Sequence, residues 1–256
     1  MTRAERTEIG EARVPARHYG AIVVVGGGCY GGYYVRQLRR ARENGALTFD
    51  RLLVVDHDEH CAVARGDAAG IELAVADWSD FLTEYLGGVA DDADAIVPSP
   101  LMPHLLFQWL EGRARAHWPS RRVSVETPGA VGSVPWQKEG AESTRYVSFA
   151  EWMCPVNCIE PRICPHTRDV RTWSLPPSVA AHAAAARADG ERVDGPAIFH
   201  CTHRAYGVGM IDVRDVLGSE RMLVEAVERG GDARLLVGTV SHCHGALGVL
   251  VVGGSG

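Results

Sequence analysis

The sequence predicts an α/β fold whose first half is a doubly wound parallel sheet, followed by a cysteine-rich loop segment and a smaller α/β tail. Three observations lead to this prediction. Short apolar runs alternate with helical patterns over residues 20–127, and such alternation is typical of parallel sheets with right-handed crossovers. A run of three glycines directly follows the first apolar run. Prolines and cysteines then crowd residues 128–180, before α/β character returns.

Each apolar run in the first half is predicted to form a strand. The runs are residues 21–25, 52–55, 71–76 and 95–97, with a fifth at 123–125. The first four end at polar or turn residues, as strands do when their carboxyl ends line a binding crevice. We therefore expect these five strands to form one parallel sheet over residues 20–127, after a polar lead-in at 1–19.

The second half, residues 128–256, is predicted to begin as loops and to end as an α/β tail. Seven prolines lie between positions 128 and 180, and they indicate a segment held by something other than a large core. An alanine-rich stretch at 182–188 is predicted to be helical. The tail is predicted to hold a strand ending near Cys201, helices between 213 and 229 with Ser219 capping the second, and strands at 235–240 and 247–252. We expect this tail to pack back on the first half.

Composition and charge disfavour several classes of protein. Hydrophobic residues make up 46% of the chain and the net charge is −6, whereas binding along a nucleic-acid backbone needs a basic face. The first twenty residues lack the apolar core of a secretory signal, and no run of about 18 apolar residues predicts a membrane span. Seven cysteines without an export signal indicate reduced thiols or metal ligands. We therefore expect a cytoplasmic protein that meets a small-molecule substrate or a redox partner protein.

The glycine-rich turn is the strongest functional motif. Gly26, Gly28 and Gly31 match G-x-G-x-x-G, directly after a predicted strand and at the start of a predicted helix. In such turns the first glycine permits the tight bend, the second lets the backbone approach a pyrophosphate, and the third allows close helix packing. Free N–H groups at the helix start attract the phosphates. The motif predicts a Rossmann-type nucleotide site, and a purely structural turn is the alternative.

An acidic residue at the end of the second predicted strand suggests which dinucleotide is bound. The carboxylate of Asp56 can accept hydrogen bonds from both ribose hydroxyls and would repel a 2′-phosphate, which favours NAD over NADP. Asp56 lies 30 residues after Gly26, where about 20 is usual. We therefore expect the helix-to-strand connection at 43–50 to hold the extra residues. Asp58 is the alternative ribose ligand, and either acid could instead be a solvated loop residue.

Four short motifs give the first half a family resemblance. They are VVVGGGCYGG at 23–32, VVD at 54–56, ADW at 76–78 and DAIV at 94–97. On these motifs, residues 20–127 resemble the nucleotide-binding Rossmann domains of potassium-uptake regulators and related NAD-binding proteins. The resemblance implies cofactor binding rather than transport, and it does not extend to the second half.

The acid that follows the third predicted strand, Asp77, allows a different cofactor. In similar methyltransferase folds an acid at this position meets the adenine of S-adenosylmethionine. The methyltransferase turn is usually G-x-G-x-G, however, and Tyr30 occupies the last of those positions here. A methyltransferase is therefore the alternative class of enzyme.

Cysteines and histidines of the second half fall into three groups that predict a metal centre. The first is CPVNCIEPRICPH, with Cys154, Cys158 and Cys164; the others are HCTH around Cys201 and SHCHG around Cys243. Thiolates and imidazoles suit zinc or an iron–sulfur cluster, and a metal would hold together a segment with little core. We expect the first three cysteines to bind one centre, completed by a residue of HCTH or SHCHG. Buried thiols or a redox pair are the alternative.

The expected function combines these features. His104 follows the fourth predicted strand at the mouth of the crevice, where it could act as an acid or base, with helix capping as the alternative. The sequence predicts an NAD(P)-binding redox protein, of the class of NAD(P)-dependent oxidoreductases, with a zinc or iron–sulfur centre in its second half. A methyltransferase and a non-enzymatic nucleotide or redox sensor are the alternatives.

Overall fold

The computed structural model describes residues 17–150 and 158–255, which form a mixed α/β fold with two multistranded sheets. The elements in chain order are β1 (Arg17–Val25), α1 (Cys29–Glu43), β2 (Leu47–Asp56), α2 (Ala62–Arg65), β3 (Glu72–Val75), α3 (Trp78–Glu84), a π-helical turn (Tyr85–Val89), β4 (Ala95–Val97), α4 (Leu105–His117), β5 (Arg121–Glu126), β6 (Trp136–Glu139), β7 (Arg145–Ser148), α5 (Leu175–Ala188), β8 (Asp194–His200), β9 (Thr202–Ala205), β10 (Val208–Asp212), α6 (Val213–Gly230), β11 (Ala233–Val240) and β12 (His244–Ser255). None of the helices in these ranges is long and apolar enough to cross a membrane.

Sheet 1 carries the glycine turn. Its strands lie in the order β3-β2-β1-β4-β10-β9, and the first four are parallel to one another. Val24 of β1 pairs with Val54 of β2 on one side and with Val97 of β4 on the other, so the carboxyl ends of these three strands share one edge. Residues 21–25 are apolar and buried because helices cover both faces of the sheet.

Sheet 2 is built from the second half of the chain. Its main order is β6-β7-β12-β11-β8, and β5 also pairs with β12. Only β8 and β11 run parallel; the other pairings are antiparallel. The carboxyl ends of β8 and β11 meet at His200 and Val240. The amino end of β12 lies at the same edge, because a short turn joins it to β11.

Three helix layers separate and cover the two sheets. Helix α1 packs on one face of sheet 1 through Tyr34, Val35 and Leu38. Helices α3, α4 and α6 contribute to a core that also holds side chains from both sheets. Helix α5 covers the far face of sheet 2 through Leu175 and Val179. The tail therefore packs on the first half through a shared core as well as through β10, which pairs with β4.

Several strand predictions need correction. The expected strand at 123–125 is β5, but it belongs to sheet 2 and not to the parallel sheet. Sheet 1 is also not entirely parallel, since β10 runs antiparallel to β4 and β9 antiparallel to β10. The segment 128–180 is not only loop, because β6 and β7 form a hairpin within it. The partners of β5 and β10 lie more than a hundred residues away and leave no local signal. Strands β6 and β7 are each four residues long and lack an apolar run.

The connection between the first helix and the second strand also differs from expectation. Helix α1 ends at Glu43 and β2 begins at Leu47, so the connection is only three residues long and the second half of the interval 43–50 is strand. The extra residues before Asp56 lengthen β2 to ten residues, and its start pairs with β1 from Arg17 onward. Ser219 is likewise not a cap. It lies inside α6, buried, and its hydroxyl donates to the carbonyl oxygen of Asp215 at 2.9 Å.

Candidate functional site

The glycine turn shows the tight bend expected at Gly26 and the close helix packing expected at Gly31. Gly26 has a φ of +90°, a conformation that side chains disfavour. A Cβ on Gly31 would lie 1.8 Å from the carbonyl oxygen of Gly26, so only glycine lets α1 approach the turn this closely. A Cβ on Gly28 would meet nothing within 4 Å. The start of α1 therefore packs tightly against the turn at Gly31, whereas the space beside the backbone at Gly28 is free.

Asp56 holds the turn to the end of β2. The backbone N–H of Gly27 donates to its Oδ2 at 2.6 Å, and the N–H of Asp58 donates to its Oδ1 at 2.9 Å. The side chain is buried. Asp58 is exposed, and its Oδ1 accepts the N–H of His60 at 2.8 Å. The structure thus places Asp56, rather than Asp58, against the glycine turn.

An open cleft of about 610 Å³ lies beside the turn. It runs from the amino end of α1 to the loop that follows β2. Its lining residues are Gly28, Cys29, Gly32, Arg36, Asp56, His57, Asp58, Cys61, Ala62 and Arg65. The cleft therefore offers backbone N–H groups at a helix start, two guanidinium groups and the Asp56 carboxylate on one surface.

Asp77 and His104 do not line the cleft beside the glycine turn. Asp77 caps α3, because its Oδ1 accepts the N–H groups of Ser79 at 2.8 Å and Asp80 at 3.2 Å. His104 precedes α4 without a side-chain capping bond. Its Nε2 lies 2.9 Å from the hydroxyl of Tyr146, and burial lowers its pKa below the usual value.

His104 lines a second cleft, of about 490 Å³, between α4 and β5. The charged residues on this cleft are Glu111, Arg115 and Glu142. The His104–Tyr146 contact was not foreseen from the sequence, because nothing local links a helix start to a hairpin strand forty residues away.

The predicted cysteine ligands lie in different surroundings. Cys154 falls outside the described residues. Burial raises the pKa of the Cys164 thiol, but hydrogen bonds from Thr167 and His166 outweigh it and hold the pKa below its usual value. Burial raises the pKa of Cys201 to about 12 and also raises that of Cys243, whose Sγ lies 3.5 Å from the indole Nε1 of Trp173.

Cys158 is partly buried, and its backbone hydrogen-bonds the ring of His203. Within residues 17–150 and 158–255, no three His, Cys, Asp or Glu side chains stand at the spacing of a closed metal site. The role of the cysteines as ligands of one centre stays a prediction, since Cys154 lies outside the described residues.

Histidines from the two other motifs meet around one carboxylate. We call this cluster, His200, His203, His242 and His244 with Glu160, the histidine junction. It forms because β8 and β11 end side by side in sheet 2 and the chain then crosses from β8 to β9 in sheet 1.

Contacts within the histidine junction are close. The rings of His200 and His242 have centroids 4.9 Å apart. His203 Nδ1 lies 4.0 Å from Glu160 Oε1, which accepts the backbone N–H of His242 at 3.3 Å. Burial lowers the pKa of His200 and His203 and brings that of His244 to about 4, although the Glu160 charge opposes the shift in each.

The histidine junction packs against β10 of sheet 1. Gly209 of β10 pairs with His203, and a Cβ on Gly209 would lie 2.5 Å from Cys201 Sγ and 2.9 Å from the His203 ring. Burial raises the pKa of Tyr34 on α1, and the nearby Cys201 raises it further. The missing side chain at Gly209 thus makes the space into which Cys201 and His203 fit.

Comparisons with known proteins identify a family through the second half. No curated protein and no solved structure matches the chain. A family model described as "Uncharacterized protein, C-terminal domain" matches residues 106–253, which is more than half of the chain. The matched range begins within α4, contains the histidine junction and leaves out the glycine turn. The chain therefore belongs to this family, AF_1314_C.

Proposed function

We propose that this protein is an NAD-linked redox protein that binds the dinucleotide at the glycine turn. The observation that carries the proposal is the contrast within the turn: a Cβ on Gly31 would overlap the Gly26 carbonyl oxygen, while a Cβ on Gly28 would meet only open space. The open space at Gly28 lies directly at the N-terminus of α1, where a helix attracts phosphate groups. A pyrophosphate requires this space, because it must approach the backbone closely.

The topology of sheet 1 supports a doubly wound, Rossmann-type arrangement around this turn. The parallel order β3-β2-β1-β4 reverses direction in sequence at β1, and ligands of such sheets bind outside the carboxyl ends of the strands at this switch point. The antiparallel β10 and β9 extend the sheet beyond β4. They do not alter the crevice between β1 and β4.

The cleft residues suggest how the dinucleotide lies. The adenosine would occupy the cleft at the end of β2, with its pyrophosphate over Gly28 and the first turn of α1. Each Asp56 oxygen accepts one backbone N–H and keeps a further lone pair for a ribose hydroxyl. A buried carboxylate there disfavours a 2′-phosphate, which supports NAD over NADP.

The opposite end of the dinucleotide would then point past β4 toward β10 and the histidine junction. Bound nicotinamide supplies hydride chemistry, and the chain supplies proton-handling groups on that side of the sheet. Imidazole is the side chain best suited to accept or deliver a proton near neutral pH. This placement favours a redox role over simple nucleotide storage.

Fluorescence titration with NADH tests the proposal. Gly28→Val should weaken binding tenfold or more, a loss of about 1.4 kcal/mol, because the side chain would occupy the pyrophosphate position. Gly132→Val is the matched control: a Cβ on Gly132 would also meet nothing within 4 Å, but this glycine lies in a loop far along the chain. Equal NADH affinity in folded Gly28→Val and the parent would contradict the site. Tight binding of S-adenosylmethionine without NADH binding would replace the redox role with methyl transfer.

A further inference from the structure

The histidine junction contains a buried negative charge with too few partners. The Glu160 side chain is only 8% exposed. Among the described residues its contacts within 4 Å are the His242 backbone N–H and His203 Nδ1, and no Lys or Arg of that set pairs with it. Its backbone has a φ of +51°, which is costly for a residue with a long side chain. A buried carboxylate needs a cation or several donors to offset its desolvation.

Two buried ring nitrogens of the histidine junction also lack partners. His200 Nε2 and His203 Nδ1 are buried and make no hydrogen bond within the part of the chain that the structure describes. The Cys158 backbone hydrogen-bonds the His203 ring, and because Nδ1 has no partner this contact falls to Nε2. A carbonyl that accepts Nε2–H leaves a lone pair on Nδ1, which is how metal-binding histidines are commonly oriented.

A metal cation would satisfy both deficits at once. We propose that Glu160 and His203 are ligands of one divalent transition-metal ion, zinc or iron(II), with His200 as the third ligand. Imidazole and carboxylate together suit these ions. The separation of 4.0 Å between Glu160 Oε1 and His203 Nδ1 exceeds the roughly 3.4 Å between tetrahedral ligands that are each about 2.0–2.2 Å from one ion, so the two side chains would move slightly closer as the ion binds.

This ligand set differs from the cysteine set that the sequence suggested. Cys201 packs beneath Gly209, where its Sγ would lie 2.5 Å from an added Cβ, and the Cys243 Sγ lies 3.5 Å from the indole Nε1 of Trp173. Among the described residues, no three ligand side chains stand close enough together to hold an ion. In this proposal His200 therefore moves toward the ion when the metal binds. The inference rests on contacts of the second half of the chain and is independent of nucleotide binding.

Cobalt binding tests the proposal on the full chain. After treatment with a chelator, the parent protein should bind one Co²⁺ per chain with visible d–d absorption, and Zn²⁺ should displace it. Glu160→Gln and His203→Gln should each weaken Co²⁺ binding at least tenfold, the usual lower bound for disturbed metal sites. Glu84→Gln and His117→Gln, both at exposed positions, are the matched controls and should leave the affinity unchanged.

Several results would overturn the inference. Parent protein that binds no Co²⁺, or Glu160→Gln and His203→Gln variants with parental affinity, would remove the site. A strong thiolate-to-cobalt charge-transfer band would assign the ion to cysteines instead. If either variant fails to fold, proton NMR of the cobalt-loaded parent decides: paramagnetically shifted imidazole N–H signals support the set, and their absence refutes it. NADH titration of the same samples is read separately, so loss of metal binding and loss of nucleotide binding are distinguishable.

Discussion

The contact between Gly31 and the Gly26 carbonyl predicts a specific loss of stability. In Gly31→Ala the added methyl group would lie 1.8 Å from that oxygen, so either the turn or the first residues of α1 must move. Overpacking of this kind costs up to about 3 kcal/mol. Alanine recovers about 1 kcal/mol through its better helix propensity. We therefore expect a net loss of about 2 kcal/mol, or roughly 4–8 °C in Tm for a chain of this size.

A second glycine-to-alanine change isolates the steric part of this effect. Gly112 lies in α4, is exposed, and has nothing within 4 Å of a Cβ. Gly112→Ala should therefore be stabilising by about 1 kcal/mol, which makes the difference between the two variants about 3 kcal/mol. Urea unfolding at 25 °C measures both, with an unchanged slope as the check on two-state behaviour. Equal stability of the two variants would refute the packing of α1 on the turn.

Three further predictions follow from the contacts around the two sites. Asp56→Asn should narrow the preference for NAD over NADP, since it removes the charge that repels a 2′-phosphate. Paired titrations with NADH and NADPH measure the ratio of the two affinities, and an unchanged ratio would contradict the role of Asp56. Burial lowers the pKa of His104, so the stability that its neutral form contributes is complete above about pH 6.5 and falls as the pH drops toward the folded-state pKa. Unfolding at pH 7.5 and 5.5 should therefore show a smaller acid-induced loss in His104→Gln than in the parent or in His117→Gln, and equal losses would exclude His104. Gly209→Ala should cost about 1–3 kcal/mol by pressing on Cys201, and parental stability in thermal unfolding would show that the space is not needed.

Local patterns predicted the glycine turn because its physics is local. A buried β-branched run, a bend that needs a positive φ and a helix that must pack closely all lie within fifteen residues of one another. The positive φ of Gly26 and the tight contact at Gly31 confirm two of the three expected roles. The role of Gly28 in binding pyrophosphate stays a prediction, as does cofactor binding by Asp56 and Asp77.

Features that depend on distant pairing could not be read from the sequence. β5 has the apolar character of a strand, but its partner β12 lies more than a hundred residues later. Serine is a residue type that often begins a helix, which suggested a helix start at Ser219. The apolar residues on both sides of it instead continue one amphipathic helix. The HCTH and SHCHG motifs were visible, but their meeting at Glu160 depends on the parallel pairing of β8 with β11. Gly209 gave no signal, since its importance lies in the space left for Cys201.

Hydrogen–deuterium exchange with and without NAD shows whether the nucleotide binds at the glycine turn. Backbone N–H groups at the start of α1 would hold the pyrophosphate, so saturating NAD should slow exchange in peptides that cover residues 26–36. Peptides from α5, on the far face of sheet 2, should exchange at the same rate in both samples. We expect NAD to slow exchange at the glycine turn and not in α5. Binding of NAD without protection of residues 26–36 would contradict this expectation.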